Sequence, residues 1–213
     1  MLTAMRPAAH LYQYDLIFRT GNFATLSWAG VPIWQNILDL WTLQETIVEV
    51  RPDLVVEIGT HQGGSARFCA DLMEVLGTGE VLTIDIEKLH ELDHPRISFL
   101  YGDSVDPDIV SQVWNRVEGT PGPVMVILDG DHNRDHVSKE LELYAPMVTP
   151  GSFLLSQDGI IDKLWIFRGA RPGPLEANRD FLARHPEFEL DEERTDRFGL
   201  SHHPLGWMRR IQN

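Results

Sequence analysis

From Asp53 onward, short apolar, β-branched runs alternate with stretches in which apolar positions return every three or four residues. The runs LVVEI (54–58), VLTID (81–85), ISFLY (97–101), VMVILD (124–129) and GSFLLS (151–156) read as strands. Between them, Ala66, Ala70, Met73 and Leu76 fall at helical spacing, as do Ile109, Val113 and Val117, then Val137, Leu141 and Tyr144. Gly77-Thr78-Gly79 and Pro150-Gly151 punctuate helix ends before the next strand. Near-continuous apolar strands separated by helices predict an α/β fold, with a parallel sheet covered on both faces. After residue 170 the pattern predicts a helix over 175–184, a strand over 188–190 and a last strand over 206–211. The first fifty residues differ in kind. Leu11 to Phe18 and Trp34 to Val50 read as helices, with Trp28, Trp34 and Trp41 near Gly30 and Pro32. The expected division is a helical extension over 1–50, packed on the sheet or covering the site as a lid, and a ligand-binding domain over 51–213.

Composition narrows the partners. At 213 residues the chain suits one domain with a substantial core. A formal charge of −14, from 18 Lys+Arg against 32 Asp+Glu, excludes a nucleic-acid partner, which needs a basic face. A small-molecule substrate is expected instead. Cys69 is the only cysteine, so neither a disulfide framework nor a thiolate zinc cluster is available. No apolar window is long enough to span a bilayer, and the chain opens without a basic region followed by an apolar one. The expectation is a cytoplasmic protein without a membrane partner.

In an open parallel sheet, ligands sit at the carboxyl ends of the strands. The first such end is VVEIGTHQGGSARF, 55–68, where an acid inside the strand precedes a glycine turn and a helix. Neither G-x-G-x-x-G nor G-x-x-x-x-G-K-[ST] is present, so no lysine is placed to hold a triphosphate. What remains, E-x-G-x-x-x-G, resembles the first motif of class I methyltransferases that use S-adenosylmethionine. That ligand has no phosphate and needs close backbone approach with acceptors for an amino group and a ribose. Glu57, Gly59, Thr60, Gly63, Gly64 and Ser65 form the expected cradle. Asp85 ends the second strand, 26 residues after Gly59, where such folds hold the ribose hydroxyls. Asp103 and Ser104, after the third strand, resemble the element that borders the adenine, with a helix cap or a solvated loop as the plain alternative.

The fourth and fifth strands end in LDGDHNRDHV (128–137) and SQDGIID (156–162). Two adjacent strand ends offering oxygen side chains suit a hard divalent cation. Asp129 and Asp158 are the candidate ligands, Gln157 offers a neutral amide oxygen, and Asp129 also borders the cofactor. His132, on the same rim, is placed to take a proton from a substrate hydroxyl. The alternative for 131–133 is a helix cap with a surface histidine. His136 reads as a surface residue, and His202 and His203 as a loop that reaches the pocket only if the C-terminal hairpin folds over it.

The chain resembles the cephalosporin hydroxylase/rhamnosyl O-methyltransferase family of S-adenosylmethionine-dependent methyltransferases. The likeness is carried by DLWTLQETIVEVRPDLVVEIGTHQGGSA, HPRISFLYGDSVDP, VMVILDGDHNRDHVSKELELYAPMVTPGSFLLSQDGIID, GPLEANRDFL and HHPLGWMRRI. It implies a Rossmann-like, seven-stranded, mostly parallel sheet with an antiparallel last strand, and a magnesium site at Asp129, Gln157 and Asp158. The family commonly has Glu where this chain has Gln157, a departure that bears on the metal's affinity. By resemblance, the function is methyl transfer to a hydroxyl of a sugar or glycosylated natural product, with His132 as base. Fold analogy adds a homo-oligomer. Two other functions compete: the same fold binding the cofactor as scaffold or for a cyclisation or dehydration, favoured by Gln157, and a ferrous hydroxylase, which calls for two histidines and a carboxylate.

Overall fold

The computed structural model describes residues 22–212, so the helix expected over 11–18 lies outside the described residues. A single turn α1 (Asn22–Thr25) and a small hairpin, β1 (Ser27–Trp28) and β2 (Val31–Pro32), lead into α2 (Ile37–Val50). The sheet domain then alternates: β3 (Leu54–Ile58), α3 (Gly64–Leu76), β4 (Glu80–Asp85), β5 (Ile97–Tyr101), α4 (Pro107–Glu118), β6 (Val124–Leu128), α5 (Arg134–Tyr144) and β7 (Phe153–Ser156). It closes with α6 (Pro174–Arg184), β8 (Phe188–Leu190), the short α7 (Glu192–Thr195) and β9 (Trp207–Arg210).

Seven strands hydrogen-bond in the order β5-β4-β3-β6-β7-β9-β8. β3 pairs in parallel with β4 and β6, and β6 with β7, while β9 runs antiparallel to β7 and β8. This is the mostly parallel sheet with an antiparallel last strand that the family resemblance implied. Strand order reverses between β3 and β6, which opens a crevice at their carboxyl ends. Each strand divides its apolar residues between two layers. Val56, Ile84, Val126 and Leu154 pack with α4, α5 and α6 on one face, and Val55, Val81, Met125 and Phe153 pack with α2 and α3 on the other. Among the described residues, no helix is long and apolar enough to cross a membrane.

Local chemistry sets the boundaries that matter for the site. The helix expected from Trp34 begins at Ile37, because the Asn36 side chain accepts a hydrogen bond from Leu38 N and caps it. Trp34 and Gln35 are thereby left outside the helix. No side chain caps α3, whose N-cap is Gly63. Its first-turn N–H groups therefore lack the usual intrahelical partners. Gly64 carries no side chain for a packing reason: a Cβ there would lie 2.1 Å from the Pro32 carbonyl oxygen. Trp28 completes that seam, donating to Asp71 Oδ2 at 2.9 Å and meeting Phe68 edge-on. Trp34 and Trp41 stay half exposed.

Candidate functional site

A cavity of about 600 Å³ opens at the carboxyl ends of β3, β4, β5 and β6. Gly59, Thr60, Gly64 and Ser65 line it, as do Asp85, Asp103, Ser104, Asp129, His132 and Asp158. Of the sequence candidates, Glu57, Gly63 and Gln157 do not line this cavity. Gly59 has φ +99°, and a Cβ there would fall 2.1 Å from the Asp129 carbonyl oxygen, so the turn and the β6 end touch only because this residue is glycine. Asp85 accepts from His61 N at 2.7 Å and Glu87 N at 3.2 Å, which fixes its carboxylate while leaving lone pairs for a ligand. Asp103 does not cap the helix, a role taken by Asp106; its Oδ1 accepts from Val105 N in a local turn, and the residue borders the cavity.

Glu57 lies one layer down. It is 1% exposed and accepts from the Thr83 hydroxyl at 2.6 Å, while Thr83 and Thr60 share a hydroxyl–hydroxyl bond at 2.7 Å. Burial raises its carboxyl to about 7, against the bonds from Thr83 and Ser65 that favour the charged form. Because the folded value lies above the unfolded one of 4.5, the folded state keeps a proton that the unfolded chain releases. The stability this provides is complete below about pH 4.5 and is lost as pH rises through about 7, in total about 3 kcal/mol. Glu57→Gln removes that titration. The stability of the variant relative to the unsubstituted protein is expected to climb between pH 5 and 7 in urea melts, whereas parallel curves would show that Glu57 is ionised throughout.

At the other end of the cavity, His132 Nε2 stands 3.2 Å from Asp158 Oδ2 and 3.7 Å from Asp129 Oδ1. Nε2 is buried and makes no aligned hydrogen bond. Asp129, His132 and Asp158 can each turn one ligand atom to within 4.8 Å of the others. Burial alone would lower the His132 ring, but the two carboxylates outweigh it and raise it to about 10. Burial likewise works against the Asp158 charge, yet His132 and the nearby His203 and His202 hold this carboxyl at about 2. Asp129 goes the other way, raised by burial and by the neighbouring Asp158 charge. An imidazolium here occupies the position between two acids that a small cation would take. The fit to a divalent cation rests on those two carboxylates, whose charge a cation would balance in place of the imidazolium.

Gln157 is 3% exposed and joins this group through a residue with no local signal in the sequence. Gln35 Nε2 donates to Asp129 Oδ2 at 2.7 Å and to Gln157 Oε1 at 2.6 Å. Two further histidines change places relative to expectation. His136 is not a surface residue: its side chain is 22% exposed, borders the cavity and bonds Ser104 Oγ at 3.1 Å, because the i,i+4 contact with Glu140 draws it inward. His203 is buried, and its Nδ1 accepts from Asp158 N at 3.0 Å, holding that residue at φ +55°. The 131–133 segment serves both weighed roles, since Asn133 caps α5 through Asp135 N while His132 turns into the site. Phe23 and Trp34 line the cavity from the N-terminal segment, with the Trp34 ring 4.5 Å from that of His61.

A sequence profile described as Rhamnosyl O-methyltransferase/CmcI matches residues 21–211. The chain belongs to the rhamnosyl O-methyltransferase/CmcI family. Among its relatives, the rhamnosyl O-methyltransferase of Mycobacterium tuberculosis (strain ATCC 25618 / H37Rv) is 33% identical over 190 residues, which is 85% of this chain and 77% of that protein. The CmcI structure described as D160 Mg-SAM superposes with a TM-score of 0.68 at 18% identity, over 89% of this chain and 78% of the other. MycE from mycinamycin biosynthesis, in complex with Mg, SAH and mycinamycin VI, gives 0.52 at 21% identity, over 75% of this chain and 44% of that one. At such identities the structural likeness speaks for the fold. Membership in the rhamnosyl O-methyltransferase/CmcI family makes this chain an S-adenosylmethionine-dependent O-methyltransferase.

Proposed function

We propose that the chain methylates a hydroxyl of a rhamnose-like sugar or sugar-bearing natural product, assisted by a divalent cation, for which magnesium is the natural choice. The observation that carries this reading is the Asp129–His132–Asp158 group at one end of the cavity that the glycine turn walls. The rest of that cavity would hold S-adenosylmethionine: Asp85 would accept from the ribose hydroxyls, and the uncapped start of α3 would offer N–H groups to its carboxylate. Asp129 and Asp158, with the amide oxygen of Gln157 beside them, would hold the cation. When bound, it would lower the pKa of an acceptor hydroxyl, as metal ions do for water.

The chain's own residues supply position and proton transfer. The cofactor would supply an electrophilic sulfonium methyl, to which an acceptor oxygen held in line would bond as the C–S bond breaks, leaving S-adenosylhomocysteine. His132 Nε2 faces the reaction end and would take the hydroxyl proton once a bound cation engages Asp129 and Asp158 and so releases the proton those carboxylates hold on the ring. Phe23 and Trp34 narrow the opening and keep water from the sulfonium. The relative's name, rhamnosyl O-methyltransferase, supports the sugar class. The test is an incubation of the full chain with S-adenosylmethionine and an aryl rhamnoside, followed by mass spectrometry. Methylated sugar and S-adenosylhomocysteine should appear in equal amounts, and EDTA should cut both at least about tenfold, with recovery on adding magnesium. A rate indifferent to EDTA would remove the cation from the reading, and no methylated sugar would remove this acceptor class.

A further inference from the structure

One buried group on the cavity wall takes no part in that chemistry. Glu140, in α5, is 1% exposed yet borders the cavity. Its Oε1 accepts the Ser104 hydroxyl at 2.5 Å and lies 3.2 Å from His136 Nε2. Its Oε2 is buried and has no hydrogen-bond partner. A carboxylate oxygen shut away from water is costly unless something donates to it. The phenol of Tyr144, one turn further along α5, is spent on the Ser104 carbonyl at 2.7 Å.

The position of Glu140 along the wall indicates what that donor is. A nucleoside whose ribose is held by Asp85 must lay its base further along the same wall, past Ile86 and Gly102 toward Ser104 and Glu140. Adenine carries an exocyclic amine, a donor, at the ring position where guanine and hypoxanthine carry a carbonyl. The other acid at this end, Asp103, is half exposed, and its Oδ1 is committed to Val105 N. We propose that Glu140 Oε2 reads the exocyclic amine of the cofactor's adenine, with Ser104 and His136 as positioning residues that fix the carboxylate. This rests on S-adenosylmethionine being the cofactor and adds which residue selects its base.

The experiment is calorimetric titration of the full chain with S-adenosylhomocysteine and with S-inosylhomocysteine, whose base carries a carbonyl where adenine carries the amine. The unsubstituted protein should prefer the adenine ligand by about 30-fold or more, the scale of a hydrogen bond to a charged acceptor. In Glu140→Gln, Ser104 and His136 hold the amide oxygen at the Oε1 position, so the NH₂ takes the place of Oε2 and faces the base. The preference should fall to within about threefold, because the variant donates where the glutamate accepts. A merely structural Glu140 would weaken both ligands together and leave the ratio unchanged, which overturns the proposal. So would loss of the preference in Asp103→Asn but not in Glu140→Gln. Should Glu140→Gln fail to fold, the unsubstituted protein decides alone, since equal affinity for the two ligands overturns the assignment. Failure to bind S-adenosylhomocysteine at all would overturn the cofactor reading as well.

Discussion

Asp129→Asn is expected to cut turnover about 10²- to 10³-fold while leaving the fold intact, the loss typical of removing one electrostatic contact to a transition state. The substitution keeps the shape of the side chain and an oxygen that can accept from Gln35 Nε2, so the contact to the N-terminal segment survives. The backbone hydrogen bond from Asp129 N to the Ile58 carbonyl is untouched. What disappears is one of two full negative charges on the proposed cation site. Titration with manganese, followed by its paramagnetic resonance signal, should show weakened binding beside an unchanged melting temperature. A variant with turnover within threefold of the original would mean that Asp129 serves only to shape the glycine turn.

His132→Ala should lose about 10³-fold in turnover, within the range assigned to a positioned base, with binding of S-adenosylhomocysteine and of manganese both held within about threefold. The two readouts separate roles that the geometry alone leaves adjacent, because His132 Nε2 is 3.2 Å from Asp158 Oδ2 and also belongs to the group able to converge on a metal. Turnover lost together with manganese binding would make His132 a ligand and sink its assignment as base. Turnover retained would sink both roles.

The parts of this molecule that were readable from residues alone are those governed by local rules. The run 124–128 is apolar on both faces because both faces are covered, and the ends of strands 80–85 and 124–128 carry the cavity-lining acids Asp85 and Asp129. Gln35 was not legible, since it bonds residues 94 and 122 positions away and nothing in its own neighbourhood marks it. His136 was misjudged as a surface residue. The signal was nevertheless there, in that His136 and Glu140 stand four apart on one face of a helix entering the crevice beside Asp103 and Ser104. His203 shows the same limit as Gln35, because its bond to Asp158 N depends on where the C-terminal strand returns to the sheet.

The glycine turn is also a junction between distant segments. A side chain at Gly59 would strike the carbonyl of Asp129, one at Gly63 the Leu92 side chain, and one at Gly64 the carbonyl of Pro32. Three contacts made by three missing side chains give this region little tolerance for sequence drift. For anyone redirecting the enzyme to a new acceptor, the turn and the segments pressed against it are the chassis to be left alone. The freedom to redesign lies at the rim, with Phe23 and the half-exposed Trp34, which face the cavity mouth instead of another strand's backbone.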